Sequence, residues 1–345
     1  MDFKLSKVEA NKLFSELKEE YMIFAPKVFK GEGRYSDLDS IRYGEIDSFD
    51  EIEFERKSQY SAKEVLLPIN HITEVKYDNQ SMKIANDDKK RLIILRSCDI
   101  HAIKRIDNKF LNDSYYKSRR ENVKFMVMEC PKAFDTCFCI TMGTNETEDY
   151  SLGIRVSEDG ILIKNKDKDF NKYFDESVKK CEFDIRFAKE NETKVNIPDM
   201  KEWDRQTLLK AKSLELWNEY KGRCIGCGSC NMSCPTCTCL TTNEIKNENT
   251  GVVEVRRIWS GCQLVKSPAF KDGKTLSDIV PSRIRQRVFD KFYMPKLETS
   301  KEQICVGCGR CTDNCPRLIN FSTTVNKFSE ELNKIYEEEG LDINR

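Results

Sequence analysis

Histidine is nearly absent: the 345-residue chain has two, His71 and His101. Two imidazoles exclude His-rich metal sites and bis-His haem. Net charge is absent too, with 58 basic residues against 58 acidic, so no global field draws the chain to nucleic acid or to an anionic membrane. Long apolar runs are also missing. The longest, Leu92–Leu95 and Val123–Met128, the latter broken by Lys124, fall far short of the ~20 residues of a membrane-spanning helix. The opening MDFKLSKVEANKLF has neither an apolar h-region nor a small-residue cleavage site. The expectation is a cytoplasmic protein in a reducing compartment, with no transmembrane segment.

Several cofactor signatures are missing as well. No GxGxxG follows a strand to open a helix, so no NAD or Rossmann flavin site is expected in this chain. No CxxCH marks a c-type haem. The separated CxxxxxC and CxxxC pairs of a sirohaem subunit do not occur either, since the CxxxC at Cys311 and Cys315 belongs to a longer run.

What the chain has is cysteine, sixteen of them. Twice the sequence reads CxxCxxCxxxCP: at Cys224, Cys227, Cys230, Cys234 and Pro235, then at Cys305, Cys308, Cys311, Cys315 and Pro316. That is the bacterial ferredoxin run, and two copies imply two [4Fe-4S] clusters. The first three thiolates of a run wrap three corners of one cubane, and the CP turn carries the fourth to the other cluster. The expected ligand sets are therefore crossed: Cys224, Cys227, Cys230 and Cys315 for one cluster, Cys305, Cys308, Cys311 and Cys234 for the other. Structural zinc is the competing use of CxxC units, but zinc sites take two separated pairs rather than this repeated run.

Eight cysteines remain. Cys98, Cys130, Cys137 and Cys139 lie in the N-terminal half, three of them in the loop ECPKAFDTCFCITMGTN. Four thiolates converging there could hold a third [4Fe-4S] cluster; alternatively they are buried small apolar residues, and their spacing matches no ferredoxin pattern. Asp99 and Asp135 are candidate substitute ligands, with helix capping the role expected of Asp99. Cys237, Cys239 and Cys262 read as a redox-active thiol group or as lining of the cluster cavity, and Cys181 as incidental. Arg256, Arg257, Arg283, Arg285 and Arg287 form a local basic excess, either a solvated face or charge that offsets thiolate-ligated clusters.

The fold class expected is an α/β N-terminal domain over residues 1–203, followed over 204–345 by a largely helical two-cluster [4Fe-4S] ferredoxin-like domain. Ser6 should cap a helix with Val8, Leu13, Phe14 and Leu17 inward. Arg91–Arg96 and Val123–Met128 read as buried strands around a helix begun at Asp99, a β-α-β unit, with Cys98 and Cys130 at the strand ends where open sheets place their sites. Further expectations are a strand at Val65–Leu67, one at Ile161–Ile163, a helix near Asp169–Lys180, and a helix over Arg205–Tyr220 with Leu208, Leu209, Leu214 and Leu216 inward. A strand over VVEVRRIW, a helix at Ser282–Tyr293 and a charged helix at Phe321–Glu338 complete the reading.

The segments RYSDLDSIRYGEI, SCDIHAI at 97–103, CPKAFDTCFCITMGTN at 130–145, CIGCGSCNMSCPTCTC at 224–239, RRIWSGC at 256–262 and CVGCGRCTDNCP at 305–316 together resemble the A subunits of anaerobic sulfite reductases across essentially the whole chain. Their relatives, the beta subunits of sulfhydrogenases, look similar after CPTC and at the SC of a WxSC element, where this chain reads WSGC; Ser97 before Cys98, where those relatives tend to carry Pro, leans toward the sulfite reductase branch. The resemblance implies an electron-transfer subunit without a substrate site of its own, in a cytoplasmic three-subunit complex. A flavin subunit oxidises NADH, this subunit relays electrons through its clusters, and a sirohaem subunit reduces sulfite to sulfide. The alternatives are the electron-transfer beta subunit of a sulfhydrogenase or Ni-Fe hydrogenase, and a non-redox protein with structural metal sites.

Overall fold

A computed structural model describes residues 1–35, 37–78, 80–84, 89–197, 205–264, 280–293 and 303–339. The chain divides into two compact units. The first comprises Met1–Ala133, Thr144–Glu190 and Thr242–Ile258, the second Phe134–Gly143, Asn191–Thr241 and Trp259–Arg345. The boundary expected at 203/204 lies outside the described residues. The two units also exchange segments: a loop of the N-terminal half belongs to the second unit, and a strand pair of the C-terminal half returns to the first. A single cut in the sequence cannot express either exchange.

Strands are numbered in chain order: β1 Asp2–Leu5, β2 Met22–Phe29, β3 Ser40–Glu45, β4 Asn70–Tyr77, β5 Gln80–Lys83, β6 Arg91–Leu95, β7 Val123–Met128, β8 Leu152–Ser157, β9 Gly160–Asn165, β10 Lys179–Cys181, β11 Leu240–Lys246 and β12 Val253–Trp259. The first unit is built on an eight-stranded sheet, ordered β10-β1-β9-β8-β7-β6-β2-β3. Its centre is parallel, β2 with β6, β6 with β7 and β7 with β8, and its edges antiparallel. RLIIL is buried at every position because both faces are covered. Leu92 and Ile94 point into one core, with Leu13, Phe14 and Leu17 of the helix Lys7–Lys18. Ile93 and Leu95 point into the other, with Ile100, Ile103 and Ile106 of the helix Ser97–Phe110.

A second sheet, β11-β12-β4-β5, recruits the returning segment. β12 runs antiparallel to β4 from Val253 opposite Lys76 to Ile258 opposite Asn70. The strand expected over VVEVRRIW is thus present, and its partner lies some 180 residues away in sequence, a pairing no local pattern reveals.

The N-terminal α/β reading holds, and several local expectations are corrected. Ser6 does cap the first helix through a reciprocal capping box with Glu9, but Val8 is 79% exposed and Ala10 takes its inward place. Val65 and Leu66 lie in a buried helical turn, Lys63–Leu66, not a strand. Asp99 is the third residue of its helix rather than the cap, which is Arg96; it is buried and accepts from the Tyr43 hydroxyl at 3.2 Å. The segment 169–180 forms a 3-10 turn, Lys168–Tyr173, followed by β10, because Phe170 fills the core and the chain then pairs with β1.

In the second unit, the helix expected over Arg205–Tyr220 breaks at Leu214, whose ψ of 135° ends Arg205–Ser213 before a 3-10 segment, Glu215–Tyr220; Leu209 is left exposed. The Trp217 indole caps the break by donating to the Ala211 carbonyl at 2.8 Å. Trp217 packs on Phe289 of the helix Val280–Phe292 and on Phe328 of the helix Phe321–Glu339. The last helix is a packing element, its Phe321, Val325, Phe328 and Leu332 all buried. Irregular chain carries the cysteine runs between these helices, so "largely helical" describes only part of the unit. Among the described residues no helix is long and apolar enough to cross a membrane.

Candidate metal centre

Each cysteine run places its third thiol on one short helix, Ser229–Met232 for Cys230 and Arg310–Asp313 for Cys311. The two helices pack together, and the Ser233 hydroxyl donates to the Arg310 carbonyl at 3.5 Å. That contact sets the two runs side by side within the second unit.

Two cavities open beside this helix pair. One, with about 480 Å³ of empty space partly open to solvent, is lined by Cys224, Cys227, Cys230, Cys311 and Cys315. The other, about 320 Å³, is lined by Cys234, Cys305, Cys308 and Cys311. Each cavity thus gathers the first three thiols of one run with the last thiol of the other, and Cys311 borders both. Backbone donors reach sulfur in both: Ile319 N–H to Cys315 Sγ at 3.3 Å and Gly307 N–H to Cys305 Sγ at 3.4 Å.

Arg287 lines both cavities and Lys291 the second. The two lie one turn apart on the helix Val280–Phe292 and are almost fully buried, at 3% and 4% exposure. The Lys291 ammonium donates to the Thr236 hydroxyl at 2.9 Å, and the Arg287 guanidinium reaches Cys237 Sγ at 3.8 Å. Burial acts against both charges, but the surrounding sulfurs outweigh it, Cys230 and Cys311 at Arg287 and Cys234 and Cys237 at Lys291, so both hold their protons more tightly than usual. Two of the bare thiols are raised as well. Burial pushes Cys230 and Cys305 each up to about 12, partly opposed by Arg287 at Cys230 and by the Gly307 N–H at Cys305. Two cations buried among sulfurs, with the Arg287 Nε left without a hydrogen-bond partner among the described residues, fit an anionic thiolate-ligated centre.

Of the five arginines singled out in the sequence, then, Arg287 alone among the described contacts faces the thiols. Arg256 pairs with Glu254 and Arg257 with Asp113 in the first unit, and Arg285 donates to the Lys212 carbonyl. Sequence reasoning missed Lys291, although its i,i+4 spacing from Arg287 was a usable signal.

Cys237 and Cys262 converge on one amide: Asn231 Nδ2 lies 3.6 Å from the first Sγ and 3.8 Å from the second, and Gln263 Nε2 is 3.3 Å from Cys262 Sγ. A hydrogen bond to Cys234, with burial adding to it, raises the Cys237 thiol well above its usual range. Cys239 is exposed.

The N-terminal cysteines are separated by the division into units. Cys98, in the first turn of its helix, and Cys130, in a bridge to Phe187, belong to the first. Cys137 and Cys139 sit in the Phe134–Gly143 loop of the second. That loop is laced to the second run: Thr136 Oγ1 donates to Asp313 at 2.7 Å, Cys137 Sγ to the Cys308 carbonyl at 3.4 Å, and Phe138 N–H to the Gly307 carbonyl at 2.8 Å. Cys139 Sγ accepts from Asn191 at 3.8 Å, and Thr193 donates to the Asp135 carbonyl at 2.5 Å.

Comparison with known proteins agrees with this architecture. Residues 223–319 match the 4Fe-4S dicluster domain family. Over 339 residues the chain is 27% identical to the sulfhydrogenase 2 subunit beta of Pyrococcus furiosus, covering 93% of this chain and 98% of that protein. Over 104 residues it is 29% identical to the F420-dependent formate dehydrogenase subunit beta of Methanocaldococcus jannaschii, 30% of this chain and 19% of that one. No solved structure matches. The chain carries a dicluster domain that binds [4Fe-4S] clusters.

Proposed function

We propose that the protein is the iron-sulfur electron-transfer subunit of a multi-subunit oxidoreductase, with one cluster on Cys224, Cys227, Cys230 and Cys315 and the other on Cys305, Cys308, Cys311 and Cys234. The observation that supports this reading is the lining of the two cavities: Cys224, Cys227 and Cys230 with Cys315 in one, Cys305, Cys308 and Cys311 with Cys234 in the other, Cys311 bordering both. When bound, such centres supply one-electron redox chemistry at potentials set by charge, hydrogen bonding and exposure. The chain's own residues do the rest. The Ile319 and Gly307 N–H groups hold Cys315 and Cys305 in place, and the Gly307 N–H favours the anionic form of Cys305. Arg287 and Lys291 counter the charge that thiolate ligation brings into a water-poor interior.

For the destination of the electrons, the motif resemblance favours a sirohaem sulfite reductase supplied by an NADH-oxidising flavin subunit in the cytoplasm. The match to a sulfhydrogenase beta subunit along 93% of the chain favours a hydrogenase complex equally well. Tagged protein purified anaerobically from its own cells, with its complex intact, separates the two: a sirohaem absorbance with sulfite-dependent NADH oxidation supports the first, nickel with hydrogen-dependent dye reduction the second. Iron and acid-labile sulfide near eight each per chain, with reducible EPR signals, test the relay itself. Zinc in place of iron would overturn it.

A further inference from the structure

Leu318 lies in the chain between Arg317 and Ile319, both of which line the first cavity. It is 80% exposed and its backbone is left-handed, φ +53°, a conformation that bulky residues rarely adopt. The turn has a local cause: Leu318 N–H bonds to the Cys315 carbonyl at 3.1 Å, and the bend aims the Ile319 N–H at Cys315 Sγ. Nothing in that geometry calls for leucine, since glycine or asparagine would take the same φ more readily and leave no apolar group in water. Ile225, which lines the same cavity, is 54% exposed. The two segments are tied together by the Arg317 guanidinium, 3.5 Å from the Gly222 carbonyl. Exposed cations flank the pair, with Lys221 and Arg223 on one segment and Arg317 on the other. The nearest carboxylates along the chain are engaged elsewhere, Glu219 with Lys327 and Asp313 with Thr136. Of the eight run cysteines, Cys227 is the exposed one, and it lines this same cavity.

We propose that this apolar centre with a basic rim is the docking surface for an acidic one-electron carrier protein, which exchanges electrons through the centre on Cys224, Cys227, Cys230 and Cys315. An apolar core within a polar rim is the make-up of a protein interface. With zero net charge on the whole chain, a local basic rim is what can select an acidic partner and steer it. One electron leaves the reduced carrier and enters the oxidised centre; no bond or proton changes hands. The inference rests on the cluster ligation proposed above.

The test uses the full chain with its clusters and reduced flavodoxin, a small acidic flavoprotein, as the probe in anaerobic stopped-flow mixing. Reduction should slow as salt rises, and Leu318→Asp combined with Arg223→Glu should lower its second-order rate roughly 10-fold or more. Neither residue lines the cavity, so the EPR signals should stay as in the unaltered protein and dithionite should still reduce the centre fully. Leu318→Gly, which suits the backbone and adds no charge, should slow flavodoxin alone by a smaller factor. Flavodoxin rates insensitive to salt and to these changes would overturn the proposal. So would a self-associated form, seen by sedimentation, that Leu318→Asp dissociates, because the occupant would then be a second copy. A protein that dithionite cannot reduce points instead to failure of the cluster reading.

Discussion

Gly307 and Phe138 lock together across almost 170 residues of sequence: the Phe138 N–H donates to the Gly307 carbonyl at 2.8 Å, and a Cβ on Gly307 would stand 2.5 Å from the Phe138 carbonyl oxygen. Gly307 also has φ +65°, and its own N–H bonds to Cys305 Sγ. A side chain there must displace either the loop or the run.

Gly307→Ala is therefore expected to release the Phe134–Gly143 loop and loosen the second cysteine run. Thermal melting and iron content should both fall. Gly222→Ala is the control: it has the same left-handed backbone, φ +73°, but open space around the new methyl, and should cost only the ~1 kcal/mol of an unfavourable φ with iron retained. Equal losses in the two variants would show that the loop contact is unimportant.

The crossed ligation proposed above has Cys234→Ser and Cys315→Ser acting at a distance. Cys234→Ser should perturb the EPR signal that Cys308→Ser also perturbs, and Cys315→Ser the one that Cys227→Ser perturbs. If each change instead alters the signal of its own run, the crossed assignment is wrong.

Arg287 borders both cavities, so Arg287→Met should lower both reduction potentials, because a fixed positive charge favours the more negative, reduced state. Redox titration followed by EPR reads the shift, 59 mV for each tenfold change in a one-electron equilibrium. Arg287→Lys should restore much of it. Potentials unmoved by Met would assign Arg287 a packing role.

Cys137 Sγ is occupied as a donor to the Cys308 carbonyl. Cys137→Ser is expected to leave iron near eight per chain and to alter stability by ~1 kcal/mol. Loss of about four irons from a wild-type value near twelve would instead establish a third cluster on Cys98, Cys130, Cys137 and Cys139.

Glu64 supplies a pH test in the first unit. Burial raises its carboxyl to about 7, against the pull of Arg42 and Lys63. Below the unfolded value of 4.5 both states carry the proton and nothing is lost. Between 4.5 and about 7 the unfolded chain gives it up first, so stability declines as pH rises and levels off above. The decline is at most about 3 kcal/mol, less the screening by water at this partly exposed group. Glu64→Gln should remove that slope and melt higher at pH 8; parallel melting curves for the two proteins would refute it.

The sequence by itself determined whatever is local. Three thiols within seven residues define a cluster-binding run in any surroundings. The buried strands Arg91–Leu95 and Val123–Met128 follow from apolar continuity, and the Ser6 cap from one capping box. Local signals failed where a distant partner decided the outcome. Val65 and Leu66 turn helical under the core of the sheet, Phe170 pulls its segment out of a helix, and β12 finds its partner in β4. At the site, only the tertiary structure decided that Cys311 borders both cavities, that Arg287 and Lys291 stand among the thiols, and that a loop from the N-terminal half braces the second run. The physical reason is common to all three. A buried charge or a shared cavity is a property of groups brought together from different stretches of chain, and no periodicity within one stretch records its neighbours.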